Sequence, residues 1–452
     1  MLFKRYESEG LAHFSYLIAD QNEAVLIDPS RDIDEYLDDA YHNGYQITCV
    51  FETHRNEDYL IGSSEVMART GAKVYHADGQ WDYAYGQAVE DGQTWQVGRL
   101  RIKAIHTPGH TPGSMSYLLF DPDGHPWIVF SGDSLFSGGV GRMDLLGEDR
   151  LEEMAKAMYH TLFEVLLPLG DGVIVCPAHG AGSVCGSEIA ERTWTTIGLE
   201  RQLNPYLQAN SEAEFIEKFA KMLERPPYFK NMEVLNLQGA PVLGNLPRLK
   251  PLSPEAFKKA STDAQLIDTR DQISFGGGFI PNSLCIRESL LANFAGWFLD
   301  SEKPILLVSD PNSSETIVRS LIRQGYDRFA GYLYSGIVSW AKAGQAVETL
   351  AVLPVPDFCN ALKTEPEKII LDVRTEDEIV DGGLTHGLRI PVTHLQENLS
   401  AIPKNKPLFI VCPSGNRSIL AASLLKNAGW TDLKVLAGGL TAYDAFGCDY
   451  EL

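Results

Sequence analysis

The sequence has few of the features that mark membrane, nucleic-acid-binding or secreted proteins. None of its apolar stretches runs uninterrupted for long enough to span a bilayer. Residues 1–10 lack the apolar core and small-residue cleavage site of a signal peptide, so we expect none. The chain has 38 Lys and Arg against 60 Asp and Glu, and its formal net charge of −22 disfavours nucleic acid, whose phosphates require a basic surface.

Cysteine is also scarce. The 452 residues include seven cysteines, an odd number scattered along the chain. They predict mostly free thiols in a reducing cytoplasm and no disulfide framework. Cys285, Cys359 and Cys448 lie outside any loop motif, and we interpret them as passive thiols. The length exceeds what a single core serves and predicts about two to four domains.

The sequence does contain four apolar runs that each lead to a histidine or an aspartate. The runs are typical of buried strands, and they lead to His54, His110, Asp133 and His179. A strand fixes the backbone of the residue that follows it, while the loop beyond leaves the side chain open to a cleft. A single histidine of this kind is usually structural, but such residues in series favour a metal site.

The loops around these residues carry a resemblance. Residues 53–59 are T-H-R-N-E-D-Y, 107–114 are T-P-G-H-T-P-G-S, 131–133 are S-G-D and 177–180 are P-A-H-G. This pattern resembles the metallo-β-lactamase superfamily, in which a T-H-x-H-x-D-H loop, a P-G-H-T-x-G-S loop, a G-D loop and a late histidine bind one or two metal ions.

Two further runs, G-V-G-R-M-D-L at 139–145 and H-G-A-G-S-V-C-G at 179–186, are similar to the persulfide dioxygenase group of that superfamily. The resemblance implies one Fe(II) ion per chain, held by His54, His110 and Asp133. Two histidines and one carboxylate leave coordination positions open on the iron and favour non-haem oxygen chemistry. Dioxygen and a persulfide sulfur could then both bind the metal.

The metal loop departs from the superfamily pattern at two positions. Asn56 and Tyr59 stand where the pattern has histidines. A second metal ion could then use only Asp58 and His179 with the shared Asp133, so we expect one ion and disfavour a binuclear zinc hydrolase. Tyr59 and Asn56 are predicted to line the substrate cleft or to hydrogen-bond a ligand. The alternative is a loop that has drifted and binds iron less tightly.

Other residues of this region are candidates for substrate binding or support. His179 resembles a residue that closes the pocket beside the iron, with a structural use as the alternative. Arg142 lies in a G-x-G-R loop, where a fixed cation suits the carboxylate of a thiol cofactor, unless it forms a surface ion pair. Asp28 is either a turn former or a support for a metal ligand. Cys185 is a weaker candidate for handling persulfide sulfur.

A proline-rich stretch at 225–251 is interpreted as the exit from the first domain. Beyond it the sequence repeats with a period of roughly one hundred residues, a typical domain length. Each round has short apolar strands and a helix after the third strand, and strands that alternate with helices predict a parallel α/β sheet. The strands are expected at 265–270, 279–283 and 304–308, and again at 368–374, 387–391 and 407–411.

The repeat resembles the rhodanese domain, a sulfurtransferase fold, over nearly all of 252–452. Its sharpest element is C-P-S-G-N-R-S at 412–418, which matches a rhodanese C-x-x-G-x-R-S loop. A cysteine that carries a persulfide must be a thiolate, and backbone N–H groups at the start of a helix stabilise one. We therefore predict that Cys412 is the sulfur carrier and that Arg417 adds positive charge beside it.

The first repeat lacks this motif. Ser309 aligns with the cysteine, and a serine cannot form a persulfide, so the first repeat is predicted to be an inert pseudo-rhodanese that serves as a spacer or docking surface. Asp268 with Arg270, and Asp372 with Arg374, recur in both repeats. We interpret them as internal structural pairs.

The predicted fold is α/β, with a metallo-β-lactamase αββα sandwich at 1–240, a pseudo-rhodanese domain at 252–350 and an active rhodanese domain at 355–452. The resemblances imply a cytoplasmic enzyme, expected to be a homo-oligomer. It would oxidise persulfides of glutathione, coenzyme A or a similar thiol with O2 to sulfite, and pass sulfur from Cys412 to sulfite, giving thiosulfate. The rivals are a metal-dependent thioester hydrolase of the glyoxalase type and a sulfur carrier whose iron domain is inactive.

Overall fold

Two six-stranded sheets form the body of the first of the two units into which the chain divides. In the computed structural model, the described residues are 1–186, 189–310, 312–380, 384 and 386–448. The first unit comprises Met1–Leu246 with Arg319–Gly325, and the second Pro247–Val318 with Tyr326–Leu452. The proposed boundaries of the three domains stay a prediction. Pro311 of the first repeat's loop and residues 449–452 lie outside the described residues.

The first sheet has its six strands in chain order, antiparallel from β1 to β3 and parallel from β3 to β6. The second has the order β12-β11-β10-β9-β8-β7. The strands are β1 Leu2–Ser8, β2 His13–Asp20, β3 Glu23–Ile27, β4 Gln46–Glu52, β5 Lys73–His76, β6 Gln87–Ala88, β7 Thr94–Val97, β8 Leu100–His106, β9 Met115–Phe120, β10 Pro126–Gly132, β11 Ile174–Pro177 and β12 Thr195–Thr196.

Helices cover the outer face of each sheet. The helices are α1 Asp34–His42, α2 Ser63–Thr70, α3 Glu148–His160, α4 Ile197–Leu203, α5 Glu212–Phe219 and α6 Phe229–Gln238. A π-helical turn at Thr161–Leu166 and a 3-10 turn at Leu167–Leu169 extend α3, and another 3-10 turn spans Pro205–Gln208. The first helix after β11, α4, begins at Ile197, after the capping hydroxyl of Thr196.

Strand alternation explains the four layers. Successive side chains of a strand point to opposite faces, so Phe51 of β4 joins the core between the sheets while its neighbour Val50 joins the core beneath α1 and α2. On the second sheet, Phe130 faces the inner core and Val129 packs with the residues of α3. Fully burying a large apolar side chain stabilises the fold by about 1.5–3 kcal/mol. The alternation therefore fixes which face of each strand is buried, and with it the register of the strands and the position of the loops at the sandwich edge.

The second unit contains two five-stranded sheets with the same topology, β13-β17-β16-β14-β15 and β18-β22-β21-β19-β20, and every strand pair is parallel. This confirms the predicted pair of α/β repeats. The strand expected at 279–283 is wrong in position, because the chain turns there, with Ser283 N–H donating to the Ile280 carbonyl oxygen, and the strand follows at Leu284–Cys285. The first repeat has β13 Pro251–Leu252, α7 Pro254–Ala260, β14 Gln265–Asp268, α8 Gln272–Gly277, β15 Leu284–Cys285, α9 Leu291–Phe298, β16 Ile305–Val308, α10 Ser314–Ile322, β17 Phe329–Leu333 and α11 Gly336–Lys342, with a 3-10 turn at Glu288–Leu290.

The second repeat follows the same sequence of elements. It has β18 Ala351–Leu353, α12 Val355–Thr364, β19 Ile369–Asp372, α13 Glu376–Val380, β20 Leu388–Arg389, β21 Leu408–Val411, α14 Asn416–Asn427, β22 Leu433–Leu436 and α15 Gly439–Phe446, with 3-10 turns at Val392–His394 and Leu399–Ala401. Among the described residues, no helix of either unit has the length and apolar character to cross a bilayer.

One prediction about the cysteines is wrong. Cys359 and Cys448 form a disulfide instead of remaining passive thiols. They are 89 residues apart in sequence, and both pack against the core of the second repeat, beside α12 and α15. Only the fold brings them together, so spacing along the chain gave no sign of the pair. The other five cysteines are free, as expected.

The recurring Asp-x-Arg pairs are internal, as the sequence predicted. The Nε of Arg270 donates to Asp268 Oδ1 over 2.9 Å, and its Nη2 lies 2.5 Å from Asp268 Oδ2. The same guanidinium donates to the carbonyl oxygens of Ser274 and Gly278. The pair therefore ties the end of β14 to the loop after α8. Arg374 contacts Asp372 in the same way in the second repeat.

Replacing Asp268 by alanine should destabilise the first repeat. Removing one partner of a buried ion pair leaves the other charge uncompensated, at about 3–5 kcal/mol in the free energy of unfolding. Chemical denaturation followed by circular dichroism measures this loss, with Asp263→Ala, an exposed aspartate of the same repeat, as the matched control. Equal denaturation midpoints for the two variants would contradict a structural role.

Candidate metal centre and Cys412 loop

Strands of both sheets end at one edge of the sandwich, and the loops that follow carry the predicted ligands. His54 follows β4, His110 follows β8 and Asp133 follows β10, and each side chain is at most 2% exposed. The Nε2 atoms of His54 and His110 lie 3.7 and 3.5 Å from Asp133 Oδ2. Ligand atoms each about 2.1 Å from one ion lie about 3.0–3.5 Å apart. The structure thus brings the three residues together at a spacing close to that of a metal centre.

Hydrogen bonds orient His54 toward this centre. The Asp28 carboxylate accepts from the backbone N–H and the hydroxyl of Thr53, each over 2.8 Å. The Thr53 Oγ1 lies 2.8 Å from His54 Nδ1. With its hydrogen committed to Asp28, Thr53 accepts from Nδ1–H, which leaves the Nε2 lone pair of His54 facing the centre. Asp28 is therefore a support for a ligand, one of the two roles that the sequence left open.

His110 is oriented in a similar way. Its Nδ1 lies 2.8 Å from the carbonyl oxygen of Arg142, so Nδ1 carries the proton and Nε2 faces inward.

Gly132 permits the close approach of the loop that carries Thr53, because a Cβ there would lie 2.6 Å from Thr53 Oγ1 and its φ is +53°. The Asp78 carboxylate accepts from Arg55 N and Thr111 Oγ1, each over 2.8 Å, and so joins the two histidine loops.

The donor set fits a metal ion. His54 Nε2, His110 Nε2 and Asp133 Oδ2 are buried and have no hydrogen-bond partner among the described residues. Leaving a buried polar atom without a partner costs about 1–3 kcal/mol, more for a charged one. A divalent cation bound by these atoms would remove that cost. His54, His110 and Asp133 could therefore hold the ion that the sequence predicted.

Sequence reasoning missed Glu57. Its Oε1 lies 3.1 Å from His110 Nε2, and ligand atoms of His54, Glu57 and His110 all lie within 4.8 Å of one another. Burial opposes the charge of the His110 ring, but Glu57 outweighs it and raises the pKa of His110 to about 9. Glu57 lies in a loop without strand or helix periodicity, so only the folded loop shows where its carboxylate points.

A second group of donors lies beside the first. His179 Nδ1 is 2.8 Å from Asp133 Oδ1, and its Nε2 is 3.0 Å from Asp58 Oδ2. Asp58, His179 and Cys185 have ligand atoms that all lie within 4.8 Å of one another. Burial, together with the Asp58 and Glu57 carboxylates, raises the pKa of Cys185 well above its usual value. A thiol held protonated is a poor nucleophile, which argues against a persulfide-handling role for Cys185.

The two residues that replace histidines are buried beneath α6. The Tyr59 ring packs against the His13 ring at a tilt of 34°, with 3.9 Å between centroids, and its hydroxyl has no hydrogen-bond partner among the described residues. The Nδ2 of Asn236 donates to the carbonyl oxygens of Asn56 and Tyr59 over 2.7 and 2.8 Å. These contacts fix the loop backbone. Contact of Tyr59 or Asn56 with a substrate stays a prediction.

Arg142 is committed to an internal ion pair. Its Nε and Nη2 bind the two carboxylate oxygens of Asp144 at 2.7 and 2.8 Å. Nη2 and Nη1 also donate to the carbonyl oxygens of Leu223 and Glu224. The side chain is 4% exposed, so the pair is not at the surface. A substrate carboxylate would have to compete with Asp144 for this guanidinium, and substrate binding by Arg142 stays a prediction.

A cavity of about 260 Å³ reaches His179 from the open side of the sandwich. Arg5, Arg192, Trp194 and Ser137 contribute to its lining. The Ser137 hydroxyl is buried and has no hydrogen-bond partner among the described residues. The cavity therefore offers cations, an aromatic face and an unused hydroxyl beside the histidine that was predicted to contact the substrate.

Cys412 lies at the end of β21, in the loop that precedes α14. The Gly415 N–H donates to Cys412 Sγ over 3.1 Å, so a backbone N–H of the loop points at the sulfur. The N-terminus of α15 closes the loop from the other side, where Leu440 N–H donates to the Cys412 carbonyl oxygen. A Cβ at Gly439 would lie 2.4 Å from that oxygen, so only glycine permits this contact. Arg417 forms a two-point ion pair with Glu378 of α13, with both distances 2.6 Å.

The first repeat contributes a contact to this loop that sequence reasoning missed. Gln272, the first residue of α8, donates from Nε2 to the Ser414 carbonyl oxygen over 3.2 Å. A Cβ at Gly415 would lie 2.2 Å from Gln272 Oε1. Ser309 occupies the equivalent loop of the first repeat, as predicted. The first repeat thus supports the Cys412 loop, although its own equivalent loop has a serine in place of the cysteine.

Comparisons with known proteins agree with this division of the chain. The metallo-beta-lactamase superfamily matches residues 9–179, and the rhodanese-like domain matches 253–343 and 356–446. The metallo-beta-lactamase of Staphylococcus aureus has a solved structure similar to this chain, with a TM-score of 0.66 and 31% identity, covering 74% of this chain and 98% of its own. The predicted order of folds is confirmed.

Two curated relatives bear different activities. A hydroxyacylglutathione hydrolase of Polaromonas sp. is 30% identical over 244 residues, which cover 47% of this chain and 89% of the relative. The mitochondrial persulfide dioxygenase of Homo sapiens is 29% identical over 212 residues, which cover 45% of this chain and 74% of the relative. Each match covers less than half of this chain, and their identities are nearly equal, so the similarity alone does not choose between hydrolysis and oxidation.

The hydrogen bond from Thr53 to His54 predicts that Thr53→Val weakens metal binding. Valine keeps the shape but removes the oxygen that fixes the His54 ring, and loss of such a partner lowers metal affinity about 10- to 100-fold. Competition with a chromophoric chelator for Mn(II) measures the affinity. Thr48→Val, on β4, the strand that precedes Thr53, is the matched control. An unchanged affinity in Thr53→Val would show that Thr53 does not orient the ligand.

Proposed function

Because the chain belongs to the metallo-β-lactamase superfamily and carries two rhodanese-like domains, we propose that it is a persulfide dioxygenase joined to a sulfurtransferase. The first unit oxidises a small-molecule persulfide with O2 and releases sulfite and the parent thiol. In balanced form, RSSH, O2 and H2O give RSH and H2SO3. Cys412 then passes sulfane sulfur to sulfite, giving thiosulfate.

The observation that carries the proposal is the buried set of two imidazoles and one carboxylate with inward-facing, unpartnered atoms. His54, His110 and Asp133 would hold one Fe(II) ion, which supplies open positions for O2 and sulfur when bound. Asp28 and Thr53 hold His54 in place. These supports keep the ligands in one geometry before any metal arrives.

Residues beside the metal centre orient its ligands, bind the substrate and exclude water. His179 donates to Asp133 and so fixes the orientation of this carboxylate. The cavity that reaches His179 presents Arg5 and Arg192 together with Glu7 and Glu191. Side chains of both signs suit a zwitterionic peptide thiol such as glutathione. The near-complete burial of His54, His110 and Asp133 keeps bulk water from the reacting sulfur.

The second site works by thiol–persulfide exchange. The Cys412 thiolate attacks the outer sulfur of RSSH, the S–S bond breaks, and RSH leaves with Cys412 persulfidated. Sulfite then attacks that outer sulfur and leaves as thiosulfate, which restores the thiolate. The Gly415 N–H holds the sulfur in place. Arg417, which faces Glu378, adds positive charge near sulfite and Cys412.

A second candidate function is hydrolysis of a glutathione thioester. The 30% identity with a hydroxyacylglutathione hydrolase favours it. Against it, Asn56 and Tyr59 replace the two histidines of the metal loop, which makes a two-metal centre less favourable. The two functions differ in metal count and in oxygen consumption, so one set of measurements separates them.

Iron-loaded protein should consume O2 when glutathione persulfide is supplied, with one Fe per chain. His54→Ala should remove most of the iron and the oxygen uptake, because His54 supplies one of only two imidazoles of the site. His76→Ala, which alters a histidine stacked on Tyr83 outside the centre, is the control. An oxygen electrode and elemental analysis make the measurement. Two tightly bound zinc ions and hydrolysis of a glutathione thioester without oxygen uptake would favour the second candidate.

If the two sites run consecutive steps, Cys412→Ser should leave oxygen uptake nearly intact and change the product. Sulfite would accumulate in place of thiosulfate, because a serine hydroxyl cannot carry the sulfur. Ser309→Ala, at the equivalent position of the inert repeat, should leave the ratio unchanged. Chromatography of sulfite and thiosulfate beside the oxygen trace measures the ratio. The same ratio in Cys412→Ser and wild type would show that Cys412 does not perform the second step.

A further inference from the structure

We propose that Glu57 is a fourth metal ligand, so that the centre consists of two histidines and two carboxylates. This inference rests on the proposed function only in placing a metal ion at His54, His110 and Asp133. It concerns which side chains of this chain complete that site. The sequence pattern of the metal loop did not point to Glu57.

The position of the carboxylate fits a ligand. Glu57 is fully buried, and its Oε1 lies 3.1 Å from His110 Nε2. This separation is that of two ligand atoms at right angles about one ion, each about 2.1 Å from it. Glu57 Oε2 has no hydrogen-bond partner among the described residues. One ligand oxygen of Glu57 thus lies within 4.8 Å of the ligand atoms of His54 and His110, and Oε2 is free of other partners among the described residues.

The loop leaves Glu57 little freedom to point elsewhere. Asn236 holds the carbonyl oxygens of Asn56 and Tyr59 on either side of it. The Cys185 thiol lies 3.7 Å from Glu57 Oε1 and can only donate to it. A protonated thiol beside the carboxylate orients it without neutralising it. The backbone on both sides is thus fixed while the side chain remains available to a cation.

The charges point the same way. Asp133 and Glu57 together carry two negative charges in a buried site, and a divalent cation balances them. A set with two carboxylates favours metal ions that prefer oxygen ligands, such as Fe(II) and Mn(II), more than a set with three imidazoles does. With four protein ligands, an octahedral ion keeps two open positions. These suffice for one sulfur atom and one O2.

The competing explanation is that Glu57 only forms an ion pair with His110, and the two roles have opposite effects on metal binding. An ion pair stabilises the protonated ring, and the metal must displace that proton. Removing Glu57 would then strengthen metal binding. If Glu57 is a ligand, its removal weakens binding. The sign of the change therefore decides between the roles.

The experiment compares Mn(II) affinity in wild type, Glu57→Gln and Glu52→Gln by chelator competition. Glu52 is a buried glutamate five positions earlier that accepts from Tyr85. Burial raises its pKa to about 8, so glutamine copies its neutral form. We expect at least a tenfold loss of affinity in Glu57→Gln and less than a twofold change in Glu52→Gln. Anaerobic Co(II) binding should also give a different absorption spectrum in Glu57→Gln, because the ligand set changes.

Unchanged or tighter Mn(II) binding in Glu57→Gln would overturn the proposal. If that variant does not fold, Glu57→Asp serves instead, since it keeps the charge and withdraws the carboxylate by one methylene. A ligand role again predicts weaker binding, and an ion-pair role predicts tighter or equal binding. Oxygen uptake is not part of the readout. Glu57-dependent metal binding without dioxygenase activity would overturn the proposed function alone, and leave Glu57 as a ligand.

Discussion

The interior of the first unit concentrates acidic side chains and imidazoles in a space from which water is excluded, and the rest of that unit is arranged to hold them. Asp58, Asp133, Glu57, His110 and His179 are all at most 2% exposed. Burying charges without partners is costly. Burial opposes ionisation of Asp133, yet the His179 and His54 rings hold its pKa below the usual range. The Asp133 carboxylate therefore stays ionised, and a divalent cation would balance its charge.

The supports around this cluster come from distant parts of the chain. Asp28 at the end of β3 fixes Thr53, and Thr53 fixes His54. Asp78, after β5, joins the loops of Arg55 and Thr111. A sandwich whose strands end at one edge is what allows side chains so far apart in sequence to act on one centre. We therefore expect the loss of one such support to weaken metal binding more than it destabilises the fold.

The sequence predicted what depends on local pattern. Buried strands that end at His54, His110 and Asp133 are visible as apolar runs, and the Cys412 loop is visible as a motif. It could not predict Glu57, because loops have no periodicity that tells where a side chain points. It misjudged Cys359 and Cys448, since only the packing of α12 and α15 brings them together. Contacts between residues far apart in sequence can be identified only once the fold is known.

The contacts of the first rhodanese-like repeat indicate a structural role for it at the Cys412 loop. It has Ser309 where the other repeat has Cys412, and its Gln272 donates to the Ser414 carbonyl oxygen of the other repeat's loop. That loop must present its N–H groups to one sulfur atom, and a loop fixed on one side only would lose part of this order. Leu440 holds it from α15, and Gln272 holds it from α8. The first repeat thus contributes to the surroundings of the Cys412 loop.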